Sequence, residues 1–82
     1  MTMMVEVKSI LKNALILGPE VDQLKMDSPL LGTIRELDSV GVMAVITALE
    51  EHYDIEVDDS EITGEIFQTL GSLVDFVEQK TQ

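Results

Sequence analysis

The 82-residue chain contains no cysteine and no tryptophan, and only two prolines and three aromatic residues. Without a thiol it can form no disulfide and offer no thiolate to a substrate or a metal, so any sulfur chemistry it takes part in has to be imported. Basic residues are scarce. Lys8, Lys12, Lys25, Arg35 and Lys80 face sixteen acids, for a formal net charge of −11. That balance excludes nucleic acid as a partner, because affinity there comes mainly from Lys and Arg on phosphates. No run approaches the length of apolar residues that crosses a bilayer, and Met1-Thr2-Met3-Met4-Val5-Glu6 has neither the basic region nor the apolar stretch of a secretory signal. The chain therefore reads as a cytoplasmic protein that does not enter a membrane. One histidine, His52, makes no metal site by itself.

What is present is organised around Glu36 to Tyr53. Val42, Val45, Ile46, Leu49 and Tyr53 recur at three- and four-residue steps, which puts them on one face of a helix and assigns that face to the core. Val7, Ile10, Leu11, Ala14 and Leu15 follow the same rule from Met4 onward, and Gly18-Pro19 reads as the stop of that first helix. Pro19 to Glu36 scatters Val21, Leu24, Met26, Leu30, Leu31 and Ile34 at no sustained period, predicting a loop pinned to the core with one short turn. Asp58, Asp59 or Ser60 caps a short helix carrying Ile62, Ile66 and Phe67, with Gly64 awkward in its middle. Thr69 caps a last helix with a Leu70, Leu73, Val74, Val77 stripe, its first turn weakened by Gly71. One domain, residues 1–82, is the expectation: an all-α bundle of three main helices plus one short helix, monomeric.

Asp38 and Ser39 stand where the central helix needs capping oxygens for its unpaired N–H groups. A serine at that place also presents its hydroxyl at the positive end of the helix dipole, where a bound phosphate is favoured. A hydrolytic role is excluded. Ser39 and His52 lie thirteen residues apart on one helix, or roughly 20 Å at 1.5 Å per residue, beyond any hydrogen bond. Asp54, Glu56, Asp58, Ser60 and Glu65 follow the ligand spacing of a calcium-binding loop, but Asp59 stands where such a loop turns on glycine, so the stretch reads as a solvated acidic surface. Between Glu36 and Gln79 the chain carries twelve of its acids and no Lys or Arg, a segment that attracts basic protein surfaces.

The order Leu37-Asp38-Ser39-Val40, then an apolar helix ending Ala48-Leu49-Glu50-Glu51-His52-Tyr53, then Asp54-Ile55-Glu56-Val57-Asp58-Asp59, resembles the acyl carrier proteins over nearly the whole chain. Phe67-Gln68-Thr69-Leu70-Gly71-Ser72-Leu73 looks like the start of that family's last helix. The resemblance implies that Ser39 carries 4′-phosphopantetheine taken from coenzyme A, with Asp38 its motif neighbour, and that the arm's thiol holds acyl or aminoacyl groups. It further implies a carrier that is not an enzyme, serving fatty-acid, polyketide or specialised lipid biosynthesis. The expected partners are a phosphopantetheinyl transferase and acyl-loading and acyl-processing enzymes with basic docking surfaces. Val40, Met43, Glu50 and Glu51 are the candidate partner-binding residues, and Val42, Val45, Ile46, Leu49 and Ile66 the candidate cargo lining. The chain departs from many fatty-acid carriers at Gly41 and Ala44, where those place acids. The rival reading is an acidic helical interaction module in which Asp38-Ser39 is only an N-cap.

Overall fold

In the computed structural model, which describes residues 2–32, 34, 35 and 37–81, three α-helices span Thr2–Leu15 (α1), Ser39–Tyr53 (α2) and Leu70–Thr81 (α3). No β-strand occurs among the described residues. α1 packs on both α2 and α3. The stripes read from the sequence meet as one core: Val7, Ile10, Leu11 and Leu15 of α1, Val45, Ile46 and Leu49 of α2, and Leu70, Leu73, Val74 and Val77 of α3 are all buried. Ala14, Val42 and Tyr53 are half-buried at its edge.

The first helix does not stop where glycine predicts. It ends at Leu15, and the left-handed residue past that end is Ile16, with φ 53°. The Leu17 N–H then closes on the Lys12 carbonyl at 2.9 Å, the pairing of a Schellman ending, in which the residue after the left-handed one packs back on the helix. Leu17 does pack against the core, so its burial holds a β-branched residue in a conformation such residues rarely adopt. Gly18 is extended instead, and leads into a 3-10 turn at Pro19–Gln23.

The long connection is pinned as expected, and its means of attachment explains Gly71. Segment 26–31 runs beside 67–71 with a single β-bridge between Pro29 and Thr69. The N–H groups of Gly71 and Leu70 donate to the carbonyls of Met26 and Ser28 at 2.7 and 3.0 Å, and the Leu30 and Leu31 N–H groups donate back to Gln68 and Phe67. The first unpaired donors of α3 are thereby satisfied by the loop. A Cβ on residue 71 would lie 2.7 Å from the Met26 carbonyl oxygen, so glycine is there for close approach. Thr69 caps α3 as predicted: its Oγ1 accepts from the Ser72 N–H, and Ser72 Oγ accepts from the Thr69 N–H, both at 3.0 Å. The predicted short helix is divided into two 3-10 turns, Asp59–Glu61 and Gly64–Phe67, because Ile62 takes an extended conformation between them.

Candidate functional site

The start of α2 separates two roles that the sequence had left on two neighbouring residues. Asp38 is extended, and its Oδ1 accepts the Gly41 N–H at 2.8 Å while its carbonyl accepts the Val42 N–H at 2.8 Å. Among the described residues, Asp38 is thus the one N-cap. Ser39 is the first residue inside the helix, and its side chain is exposed. Leu37, immediately before the cap, is buried and anchors this end of α2 to the core. A hydroxyl is therefore held on a fixed helix end, at the positive pole of its dipole, without being needed to close the helix.

Beside that hydroxyl lies a cleft of about 470 Å³, apolar on most of its walls. Ser39, Val42 and Met43 of α2 form one side, Ile62, Thr63 and Gly64 the other, with Leu31 beside them and the buried Leu37 and Phe67 on the inner wall. Sequence reasoning did not single out Leu31, Thr63, Gly64 or Phe67 for this cleft. The one trace of them was Gly64, which fits poorly inside a helix; it sits instead at the head of the second 3-10 turn, where an added Cβ would meet only Leu31 Cδ1, at 3.9 Å.

The remaining site candidates fall in different places. Val40 is 78 % and Met43 48 % exposed, flanking Ser39 as an uncovered apolar pair. Glu50 is committed within the molecule, its Oε2 accepting the Val57 N–H at 2.9 Å. Glu51 is exposed, but it lies twelve residues beyond Ser39 along α2, about 18 Å at the helical rise. Of the five residues considered for cargo lining, Val42 borders the cleft. Val45, Ile46 and Leu49 are sealed in the packed core, and Ile66 borders a separate shallow groove with Phe76 and Ser72.

Far from Ser39, the charged groups serve the fold. The Tyr53 hydroxyl donates to Glu6 Oε1 at 2.7 Å, joining the end of α2 to α1, and burial together with that carboxylate raises the phenol above its ordinary value. His52 Nε2 lies 3.8 Å from the same oxygen. Glu61 accepts the Asp58 N–H and pairs with Lys80 at 3.0 Å, which hold its carboxyl below the usual carboxylate range. Asp54, first in the calcium-loop spacing, is the left-handed cap of α2, at φ 55°. Among the described residues no group of three or more His, Asp or Glu is close enough to hold a metal ion, and no helix is long and apolar enough to cross a membrane.

Comparison with known proteins agrees with this arrangement. The family described as the phosphopantetheine attachment site matches residues 6–77. The chain is 35 % identical over 68 residues to an acyl carrier protein of Streptococcus thermophilus, covering 80 % of this chain and 81 % of that one. It is 31 % identical over 77 residues to an acyl carrier protein of Clostridium acetobutylicum, covering 94 % of each. The solution structure of a holo acyl carrier protein from Nitrosomonas europaea superposes with a TM-score of 0.89 at 51 % identity, over 98 % of this chain and 96 % of that one.

Proposed function

The chain belongs to the acyl carrier proteins, whose covalent prosthetic group is phosphopantetheine, and from that premise we propose that Ser39 is the residue that bears it. The observation that carries this reading is the division of labour at the start of α2: Asp38 caps the helix, leaving the Ser39 hydroxyl exposed beside an apolar cleft. Those residues fit the group. The N–H groups of a first helical turn and the dipole behind them favour the negative charge of a phosphodiester, and the cleft offers cover to an aliphatic cargo. When bound, the group supplies a thiol, which this chain lacks, to hold an acyl chain as a thioester. The protein's own contribution is position and shelter. Ser39 Oγ is presented to a transferase, Leu37 fixes the helix end on which it sits, and Val42, Phe67 and Ile62 keep water from whatever lies between them.

The face a partner enzyme meets beside Ser39 is apolar in this reading. Val40 and Met43 are its anchors, while long-range attraction from the net charge of −11 brings basic enzymes near. Gly41, where many fatty-acid carriers have an acid, is buried here and brings no charge to that face. We place the protein accordingly in a specialised lipid or polyketide system, working as a monomer in the cytoplasm.

The test is intact mass. Incubation with coenzyme A and a broad-specificity phosphopantetheinyl transferase is expected to add one phosphopantetheine to the wild type and none to Ser39→Ala. A wild-type chain that stays unmodified, or a Ser39→Ala chain that is modified, overturns the assignment; the first result leaves the acidic interaction module as the reading.

A further inference from the structure

The cleft beside Ser39 changes character with depth. Its polar side chains, Asp38, Ser39 and Thr63, all belong to exposed residues and so lie at the rim, whereas its inner wall is made by the buried Leu37 and Phe67. Phe67 is 1 % exposed and belongs at once to the cleft lining and to the core that holds Leu30 and Leu70. Phe67 is therefore shared between the wall of the cleft and the packed core behind it. Two attachments fix its backbone: it closes the 3-10 turn Gly64–Phe67, and its carbonyl accepts the Leu31 N–H at 3.2 Å. Such a wall can yield only by ring movement against a close-packed interior, which resists it. The mouth is different, because Gly64 presents no side chain there.

Resting on the carrier reading above, we propose that Phe67 sets how far an acyl chain borne on Ser39 can enter the molecule, so that the cleft accepts a short aliphatic chain end without polar substituents. The exclusion of polar ends follows from the wall chemistry. Neither Phe67 nor Leu37 offers a side-chain hydrogen-bond partner, so a hydroxyl or keto group carried to that depth would lose its water without replacement.

The experiment loads the protein, through a transferase that accepts acyl-coenzyme A, with butyryl, octanoyl or dodecanoyl arms, and melts each product. For the wild type the melting temperature is expected to rise from butyryl to octanoyl and to rise no further with dodecanoyl. In Phe67→Leu the rise continues through dodecanoyl, while Phe76→Leu, in the separate groove, keeps the wild-type pattern. Saturation at the same length in Phe67→Leu as in wild type overturns the proposal, as does a wild type that keeps gaining through dodecanoyl. A second measurement needs no variant. In the octanoyl wild type, the terminal methyl protons are expected to show nuclear Overhauser contacts to the Phe67 ring, and their absence overturns the proposal even if Phe67→Leu does not fold. The mass spectrum of each sample separates the two levels. Failure of any arm to attach removes the carrier reading and this inference with it, whereas attachment without the length dependence removes the inference alone.

Discussion

At its C-terminal end α2 is tied on three sides. Tyr53 donates to Glu6 of α1, Glu50 accepts the Val57 N–H of the following loop, and left-handed Asp54 turns the chain back so that the Ile55 N–H reaches the Glu50 carbonyl at 3.1 Å. At its N-terminal end the one polar closure among the described residues is the carboxylate of Asp38, and the residues beyond it, Ser39, Val40 and Met43, are exposed. In a very acidic chain, the contrast distinguishes an end closed by polar contacts from an end that leaves apolar side chains exposed. At the closed end Glu50 is held by the protein's own backbone, whereas the open end leaves Val40 and Met43 exposed beside the Ser39 hydroxyl.

The largest effect is expected at the open end, from two adjacent substitutions. Gly41 is buried and Val40 is 78 % exposed. Gly41→Asp is expected to destabilise by about 2 kcal/mol or more, because a carboxylate loses its water there and sits one turn from Asp38. Val40→Asp is expected to stay within about 0.5 kcal/mol. Urea unfolding of both variants checks this; equal losses would mean that the open end is not open at Val40.

Next come the two closures themselves. Asp38→Ala removes the N-cap and is expected to cost about 1 kcal/mol. Glu50→Ala leaves the Val57 N–H without its acceptor and is expected to cost about the same. The two sites are twelve residues apart on one helix, so the double variant is expected to lose the sum within about 0.5 kcal/mol. A large departure from additivity in the double-mutant cycle would show that the ends are coupled and that the contrast between them is false.

Tyr53→Phe tests the closed end with a pH signature. The bond to Glu6 and the surrounding burial favour the neutral phenol, so its stabilising contribution is fully present below the ordinary tyrosine value near 10 and is lost as pH rises beyond it. The variant is expected to lose about 0.5–1.5 kcal/mol at neutral pH and to flatten the alkaline fall in stability. Tyr53 is the chain's only tyrosine, so phenolate absorbance reports this group alone. Ionisation at the ordinary value in the folded protein would contradict the bond.

Much of the helical frame was legible because its signals are local. The stripes of α1, α2 and α3 follow from period, and the Thr69 cap from residue type, whatever the rest of the chain does. What escaped depended on distant contacts. Gly71 is explained only by the Met26 carbonyl that approaches it, and the end of α1 is fixed by burial of Leu17, which overrides the preference of Ile16 and leaves Gly18 to an ordinary conformation. The same holds at the site. Asp38-Ser39 was legible as a pair on a helix start, yet which of the two caps is a matter of backbone geometry. Period placed Val45, Ile46 and Leu49 on an inward face, and only the packing of α1 against that face separates sealed core from cleft. Phe67 and Thr63 reach the cleft through the break at Ile62, which no period announces.

The smallest effect is expected from Asp54, the residue that turns the chain at the closed end. At φ 55° it occupies a conformation open to glycine and tolerated by Asn and Asp, and its carboxylate sits at the negative pole of the α2 dipole. Asp54→Asn removes only the charge and is expected to stabilise by a few tenths of a kcal/mol, more at low salt than at high salt. Asp54→Gly also relieves the backbone, but it gives the unfolded chain more freedom to lose, so its net gain is expected to be no larger, again a few tenths of a kcal/mol. The pair, measured by thermal melts at two salt concentrations, separates charge from conformation at one position. A loss on Asp54→Asn would mean that the carboxylate makes a stabilising contact across the closed end that outweighs the dipole, and the acids there would then be bound more tightly into the fold than Glu50 alone implies.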